Sequence, residues 1–202
     1  MNAPSVHIVV GTAGSGKSTI AQRMAREQDA AYLDKDAMSS RFVEAALTAA
    51  GYDSGDRESN VYYRERILPL EYDSLLDVAG TNLRLGRSVV LDAPFSPYLH
   101  DPTFLTAAAQ RFDWPPAEVR VVLVRVSPET LQHRLRQRGL ERDRVKLANW
   151  DAYWAEHGGP RCAWAGVQLS EVSNDADEAA LTSAGPAASP ASQPLDVGGG
   201  SR

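Results

Sequence analysis

A short apolar run that ends in a glycine-rich loop dominates the start of the sequence. Residues 6–10, VHIVV, lead directly into GTAGSGKS, which fits the pattern G-x-x-x-x-G-K-[ST] with Gly11, Gly16, Lys17 and Ser18. An apolar run of this length that ends in glycine is typical of a buried parallel strand. The sequence therefore predicts a parallel sheet whose first strand carries this loop at its carboxyl end.

The loop has the composition of a phosphate-binding turn. Its glycines allow backbone N–H groups to approach a phosphate closely, and the following helix directs the positive end of its dipole to the same point. Lys17 adds a full positive charge for the β- and γ-phosphates, and Ser18 offers a hydroxyl to Mg²⁺. We predict a nucleoside triphosphate site formed by Gly11, Thr12, Ala13, Gly14, Ser15, Gly16, Lys17, Ser18 and Thr19.

Strand-like and helix-like segments alternate along the chain. The predicted strands are 6–10, 30–34, 88–95, 118–126 and 166–170. The predicted helices are 17–28, 37–51, 59–86 with a kink around Pro69, 127–139 and 143–159. This alternation predicts an α/β fold with a parallel sheet covered by helices on both faces.

The end of the chain differs in composition from the rest. It is rich in Ala, Ser, Gly and Pro, so we predict one folded domain over 1–172 and a disordered tail over 173–202. From Glu171 onward the chain holds five acidic residues and one basic residue, which leaves 20 basic and 21 acidic residues in the preceding part. A nearly neutral domain argues against a dedicated nucleic-acid-binding protein, whose surface is usually basic.

The cellular setting is predicted from what the sequence contains. Cys162 is the single cysteine, which fits a reducing compartment. No apolar run reaches about 18 residues, and the first residues do not resemble a signal peptide. We expect a cytoplasmic protein without membrane attachment and make no prediction of its oligomeric state.

Acidic residues follow the second and third predicted strands. Asp34 and Asp36 end the segment YLDKD, at the sheet edge where ligands bind in open α/β folds. An acid there can accept a proton from an attacking hydroxyl, although Asp36 could instead cap the following helix. Asp92 ends VVLD and is predicted to help hold Mg²⁺, with Phe95 as an apolar wall for the acceptor.

An arginine cluster follows the fourth predicted strand. Arg134 and Arg138 are four residues apart on one helical face, and a break at Gly139 precedes further basic residues. Guanidinium groups suit bidentate contact with phosphate, so we predict a mobile lid that excludes water and adds positive charge. The alternative is an ordinary solvated helix face. Trp150, Tyr153 and Trp154 share a face of the next helix, where core packing is the favoured interpretation.

These segments together resemble the small phosphate-loop kinases. GTAGSGKST, YLDKD, VVLDAPF and RLRQRGLERDRVKL are similar to motifs of gluconate kinase, chloramphenicol phosphotransferase, zeta-toxin-like kinases and polynucleotide kinase. The resemblance spans roughly residues 5 to 170, and the phosphate loop is its most specific element. It implies a three-layer phosphate-loop NTPase fold with strand order 2-3-1-4-5 and ATP rather than GTP. It also implies Asp36 as the base, with Lys17, Arg134 and Arg138 assisting transfer.

The acceptor is expected between the helices of residues 37–86 and the strand tips. Besides Asp34, Asp36 and Phe95, the candidate acceptor-binding residues are Arg41, Arg57, Tyr62, Tyr63 and Arg66. Tyrosine and arginine together can hold a polyhydroxylated molecule, although each could also be an exposed helix residue. The favoured hypothesis is a Mg²⁺- and ATP-dependent phosphotransferase acting on a small hydroxyl compound. The alternatives are a 5′-hydroxyl polynucleotide kinase and a nucleotide-hydrolysing switch or ATPase without an acceptor.

Overall fold

A five-stranded parallel sheet forms the centre of the protein. The structure is a computed structural model that describes residues 3–57 and 60–175. The strands are β1 (Ser5–Gly11), β2 (Ala31–Asp34), β3 (Val89–Asp92), β4 (Glu118–Arg125) and β5 (Gln168–Ser173). Their order is β2-β3-β1-β4-β5, and every neighbouring pair is parallel. The predicted fold class and strand order are therefore confirmed.

Helices cover both faces of the sheet. They are α1 (Lys17–Glu27), α2 (Lys35–Ala49), α3 (Leu68–Arg84), α4 (Phe104–Arg111), α5 (Pro128–Arg138), α6 (Glu141–Ala148) and α7 (Trp150–His157). A π-helical turn (Tyr63–Ile67) runs directly into α3. The predicted break near Pro69 is thus a change of helical winding: Pro69, the second residue of α3, has no N–H to donate to the preceding turn.

The strands alternate their side chains between two apolar layers. Val6, Ile8 and Val10 of β1 belong to the larger cluster, which includes residues of α3 and α4. Val9 points to the opposite layer, where it meets Ile20 of α1. Because successive strand residues face opposite sides and both sides are covered, β1 is apolar almost throughout. This burial fixes the end of β1, and therefore the loop that follows it.

Two smaller clusters attach the remaining helices. Val43 and Leu47 of α2 pack with Tyr63 and Ile67 of the π-helical turn. On the other side, Val126, Leu131 and Leu135 pack against Leu147 and the three aromatic residues Trp150, Tyr153 and Trp154. The core-packing interpretation of that aromatic face agrees with the structure.

Several predicted boundaries differ from the observed ones. The single helix predicted over 143–159 is two helices, α6 and α7, and Asn149 lies between them. Helix α4 occupies a segment for which no helix or strand was predicted. The predicted last strand, 166–170, lies at 168–173, so the domain boundary predicted at residue 172 falls inside β5. The rest of the predicted tail, from residue 176, lies outside the described residues.

Among the residues that the structure describes, no helix has the length and apolar character needed to cross a membrane.

Candidate functional site

The glycine-rich loop joins β1 to α1 and is shaped by close backbone contacts. The Ser15 N–H donates to the Thr12 carbonyl at 3.1 Å. A Cβ atom at Gly11 would lie 2.7 Å from Ser15 Oγ and 2.8 Å from the Val124 carbonyl oxygen. Real Cβ contacts do not come this close, so the first motif glycine is required by the packing of the loop against β4.

Two further loop glycines have positive φ. Gly14 has φ 90° and Gly16 has φ 85°, a region that favours glycine. A Cβ at Gly14 would lie 3.0 Å from Leu135, and a Cβ at Gly16 would lie 2.2 Å from Asn174 Nδ2. The loop is therefore enclosed by α5 on one side and by the end of β5 on the other.

Lys17 begins α1 and points its ammonium group back over the loop. Its Nζ donates to the Thr12 carbonyl at 3.1 Å. Burial lowers the Lys17 pKa below its ordinary value, and the charges of Asp92 and Asp36 oppose that shift. A half-buried cation without full compensation is suited to an anionic ligand. Ser18 and Thr19 follow on the exposed side of the first turn.

Asp34 and Asp92 are neighbours across the edge of the sheet. They are register partners at the carboxyl ends of β2 and β3. The Tyr32 hydroxyl lies between them, 2.8 Å from Asp92 Oδ2 and 3.1 Å from Asp34 Oδ2. Burial, followed by the hydrogen bond to Asp92, raises the Tyr32 pKa above its ordinary value, so the phenol remains a donor. Tyr32 was not predicted, although its position two residues before Asp34 places both on one face of β2.

The residue that caps helix α2 is Asp34 and not Asp36. Asp34 is the N-cap of α2, and its Oδ1 accepts from the N–H groups of Asp36 and Ala37 at 2.9 and 3.1 Å. Asp36 lies in the first turn of α2, with a side chain that is 55% exposed. Its carboxylate is therefore not used as the cap.

A buried polar cluster that the sequence analysis missed lies beneath Asp36. Lys35 Nζ is 2.9 Å from Glu71 Oε1 and 2.8 Å from Asp36 Oδ1. Glu71 also accepts from Ser39 Oγ at 2.5 Å and from the Tyr63 hydroxyl at 2.6 Å. The partners of Glu71 are far apart in sequence and carry no local motif, so only the fold brings them together.

The two arginines that were predicted to form a lid have different surroundings. Arg134 NH1 is 3.5 Å from the Ser15 carbonyl oxygen, which places this guanidinium at the phosphate loop. Arg138 makes a two-point contact with Asp143, through Nε at 2.5 Å and NH2 at 2.7 Å. Burial favours a higher Asp143 pKa, but Arg138 and Lys146 outweigh it and hold the pKa below its ordinary value. Arg138 thus joins α5 to α6 across Gly139, and phosphate contact by Arg138 stays a prediction.

The predicted acceptor-binding residues do not all face the same space. Arg57 lies over α2, with contacts of 3.3–3.6 Å to the Ser40 carbonyl and the Glu44 carboxylate. Arg41, Tyr62 and Arg66 are exposed, and the Tyr62 ring stacks on Tyr52 with centroids 5.5 Å apart.

Two predicted acceptor contacts are corrected by their burial. Phe95 is fully buried among aromatic rings, including Tyr72 and Trp164, so it cannot form an open wall beside an acceptor. Tyr63 is 7% exposed and directs its hydroxyl to Glu71, so it supports the cluster under Asp36 instead of a cleft surface. Both were predicted because aromatic residues are common in ligand pockets and in cores alike.

The end of β5 closes over the phosphate loop. Asn174 is 3% exposed, and its Nδ2 donates to the Ser15 carbonyl at 2.8 Å. Asp175 accepts from the Ser127 N–H at 2.6 Å, next to the start of α5. The sequence analysis missed both residues because they belong to the predicted tail.

Within residues 3–57 and 60–175, no group of three or more His, Cys, Asp and Glu side chains is arranged to hold a metal ion. A phosphate-loop site does not need one, since Mg²⁺ there is shared among a loop hydroxyl, nearby carboxylates, water and the nucleotide phosphates.

The protein family whose model matches this chain agrees with the architecture described above. The model of a family described as AAA domain, AAA_33, matches residues 6–160, which include the loop, both carboxylate strands and the arginine helix. The chain belongs to this AAA domain family. No curated protein is significantly similar to the chain.

Solved structures with the same fold bear kinase names. A protein from Chloroflexus aurantiacus J-10-fl, described provisionally as a kinase, is 22% identical with a TM-score of 0.59 and covers 86% of each chain. A sugar kinase from Janibacter sp. HTCC2649 is 18% identical with a TM-score of 0.56, over 84% of this chain and 85% of its own. A gluconokinase from Sinorhizobium meliloti 1021 is 16% identical with a TM-score of 0.48, over 86% and 84%. This AAA-domain protein thus has a fold that proteins named as kinases also have.

Proposed function

We propose that this AAA-domain protein is a Mg²⁺- and ATP-dependent phosphotransferase that acts on a hydroxyl group of a small molecule. The observation that carries the proposal is a phosphate loop with Lys17 over the Thr12 carbonyl, at the sheet edge where β2 and β3 end in Asp34 and Asp92. Asp36 follows in the first turn of α2. A cation for phosphate and an exposed acid for a hydroxyl proton are the two chemical requirements of a kinase site.

The loop residues fit a Mg²⁺-bound nucleoside triphosphate. Side chains at Gly11 and Gly16 would clash with Ser15, Val124 and Asn174, so the tight turn of the loop requires glycine at both positions. Lys17 is a partly buried cation. Ser18 provides an exposed hydroxyl, and Asp92 ends β3 in the same region. Bound Mg²⁺-ATP would supply the phosphoryl group and an ion that neutralises its developing charge.

The chain's own groups divide the work of transfer. Asp36 would accept the proton of the acceptor hydroxyl. The oxygen of that hydroxyl would form a bond to the γ-phosphorus of ATP, while the bond from the γ-phosphorus to the oxygen that bridges it to the β-phosphate breaks. Lys17 and the loop amides stabilise negative charge, and Arg134 adds a cation beside Ser15. Arg138 would join them after releasing Asp143. A sugar or another polyhydroxylated compound is the proposed acceptor class, as in the sugar kinase of the same fold.

A product screen tests the function. The wild-type protein is incubated with γ-labelled ATP, Mg²⁺ and a panel of sugars, sugar acids, nucleosides and hydroxylated antibiotics, and products are identified by mass spectrometry. We expect one acceptor class to gain a phosphoryl group. Asp36→Asn, which keeps the size of the side chain, should lower turnover by about 10²–10⁴-fold while ATP affinity by calorimetry is retained. ADP formation without any phosphorylated acceptor, or full turnover by Asp36→Asn, would contradict the proposal.

A further inference from the structure

Lys35 and Asp36 are adjacent at the start of α2 but differ sharply in exposure. The Lys35 side chain is 6% exposed, whereas the Asp36 side chain is 55% exposed. Lys35 nevertheless brings its ammonium group to 2.8 Å from Asp36 Oδ1. A buried cation therefore contacts one oxygen of an exposed carboxylate from below.

The position of Lys35 is set by Glu71 of α3. Glu71 is 2% exposed, and its Oε1 atom is 2.9 Å from Lys35 Nζ. The same carboxylate is fixed by Ser39 of α2 through Oε1 and by Tyr63 of the π-helical turn through Oε2. With donors on both oxygens, Glu71 cannot turn without leaving a buried polar group unsatisfied, which is costly. The contact to Lys35 is therefore rigid.

The cluster contains one carboxylate more than is needed to neutralise Lys35. Lys35 would be neutralised by Glu71 alone, yet its ammonium also contacts Asp36. An ammonium has three N–H donors, so it can serve both carboxylates at once. A cation that only stabilised the core would have no need of an exposed second partner at the edge of the sheet.

We propose that Lys35, held by Glu71, is a positioning residue for Asp36. It fixes one carboxylate oxygen of Asp36 and thereby sets the orientation of the carboxylate that receives the hydroxyl proton. This inference rests on the proposed function, in which Asp36 receives the hydroxyl proton. A general base must be placed accurately, since a displacement of about 1 Å can cost roughly 10²-fold in rate. The core of α3 would thus control the geometry of a group at the cleft.

A paired substitution separates positioning from stability. Replacing one member of a buried ion pair leaves the other charge uncompensated, whereas replacing both is often tolerated. The double variant Lys35→Met/Glu71→Gln removes both charges and keeps the volume and polar partners of the cluster. Leu83→Val is the control, because it removes buried apolar packing from the same helix as Glu71 and leaves Lys35, Glu71 and the donors of Glu71 unchanged.

Two measurements are made on the wild-type protein and these variants. The first is the split between kcat and KM for the acceptor found in the product screen, with melting temperature as the check on folding. We expect the double variant to melt cooperatively and to bind ATP with an affinity within about threefold of wild type, but to lose roughly 10–100-fold in kcat. Leu83→Val should keep kcat within about threefold and lower the melting temperature.

The second measurement is a pair of crystal structures with Mg²⁺ and a non-hydrolysable ATP analogue. We expect an ordered Asp36 carboxylate on Lys35 in the wild type and a displaced or multiple conformation in the double variant. An unchanged kcat in the folded double variant, or an Asp36 carboxylate that keeps its position, would overturn the proposal. If the wild-type protein phosphorylates nothing, the proposed function fails, and the crystallographic comparison still decides the role of Lys35.

Discussion

Tyr32 donates a hydrogen bond to Asp92 across the edge of the sheet, with 2.8 Å between the phenol oxygen and Oδ2. Asp34 lies 3.1 Å from the same phenol, so one hydroxyl separates the carboxylates of two neighbouring strands. Two carboxylates in register at a sheet edge repel each other, and a shared donor lowers that repulsion. Tyr32 thereby stabilises the acidic pair formed by Asp34 and Asp92 at the ends of β2 and β3.

Removal of that hydroxyl should therefore destabilise the protein. We expect Tyr32→Phe to lower the free energy of unfolding by about 1–3 kcal/mol, because Asp92 is buried and would lose its donor. Urea unfolding in the absence of nucleotide measures the change. Tyr52→Phe, at a 45% exposed ring, is the control and should stay within about 0.5 kcal/mol. Equal stability of Tyr32→Phe and wild type would show that the acidic pair needs no donor.

Lys17 should lower the stability of the nucleotide-free protein but be required for nucleotide binding. Because burial lowers its pKa, the charged form is disfavoured in the folded protein without nucleotide. We expect Lys17→Met to raise the free energy of unfolding by roughly 0.5–2 kcal/mol, as substitutions at functional sites can, and to abolish ATP binding. Urea unfolding and calorimetry with Mg²⁺-ATP provide the two readouts. A variant that binds ATP normally would remove Lys17 from the site.

Arg138 and Asp143 should be energetically coupled when nucleotide is absent. Their two-point contact lies where Asp143 is 1% exposed, and hydrogen bonds between charged groups contribute about 1.5–3 kcal/mol. A double-mutant cycle with Arg138→Gln and Asp143→Asn, followed by urea unfolding, measures the coupling. We expect a value in that range, and a smaller value with a bound ATP analogue if Arg138 transfers to phosphate. A coupling energy below about 0.5 kcal/mol without nucleotide would argue that the Arg138–Asp143 contact does not hold α5 and α6 together.

Asn174 should support the shape of the phosphate loop. Asn174→Asp keeps the size of the side chain but replaces the donor facing the Ser15 carbonyl with an acceptor. We expect ATP affinity to fall about tenfold, which corresponds to the loss of one hydrogen bond with the partner left unsatisfied. Calorimetry measures the change in affinity. The control is Ser170→Ala in β5, the strand that ends just before Asn174. Unaltered affinity in Asn174→Asp would mean that β5 and the loop act independently.

His7 should make stability depend on pH. It is buried in β1, and burial, followed by the charge of Arg120, lowers its pKa below 6.5. Below about pH 6.5 the unfolded chain therefore binds more protons than the folded one at this residue, so stability falls as pH decreases toward the folded-state pKa. Relative to His7→Gln, the wild type should lose up to about 1.4 kcal/mol per pH unit in that window. Parallel urea-unfolding profiles of the two proteins would contradict this prediction.

Local sequence signals and long-range packing contributed differently to the site. The apolar run, the glycine spacing and Lys17 are local features, and they predicted the loop, the sheet and the strand-end acids. The partners of those residues are not local: Glu71 is 36 positions from Lys35, and Asn174 is 159 positions from Ser15. Their side chains are polar in segments that look ordinary alone, so their burial depends on the completed fold.

The sequence also could not distinguish aromatic residues that contact a ligand from those that pack in the core. A pattern of Tyr and Phe near strand ends predicts either a ligand wall or a core contact, because the chemistry of the ring suits both. Only the packing of Phe95 on Tyr72 and Trp164 distinguishes the two for that residue. Helix bounds failed for a related reason: the break at Asn149 separates two helices whose sequence pattern is continuous.

The contact between Asn174 and the Ser15 carbonyl has a consequence for how the protein is made. The loop precedes Asn174 by 159 positions, so it leaves the ribosome long before the residue that covers it. During translation the nucleotide pocket is therefore incomplete until Asn174 has emerged. A nascent chain halted before residue 174 should hold ATP less tightly than a chain that includes it, which couples the acquisition of ligand to the progress of synthesis.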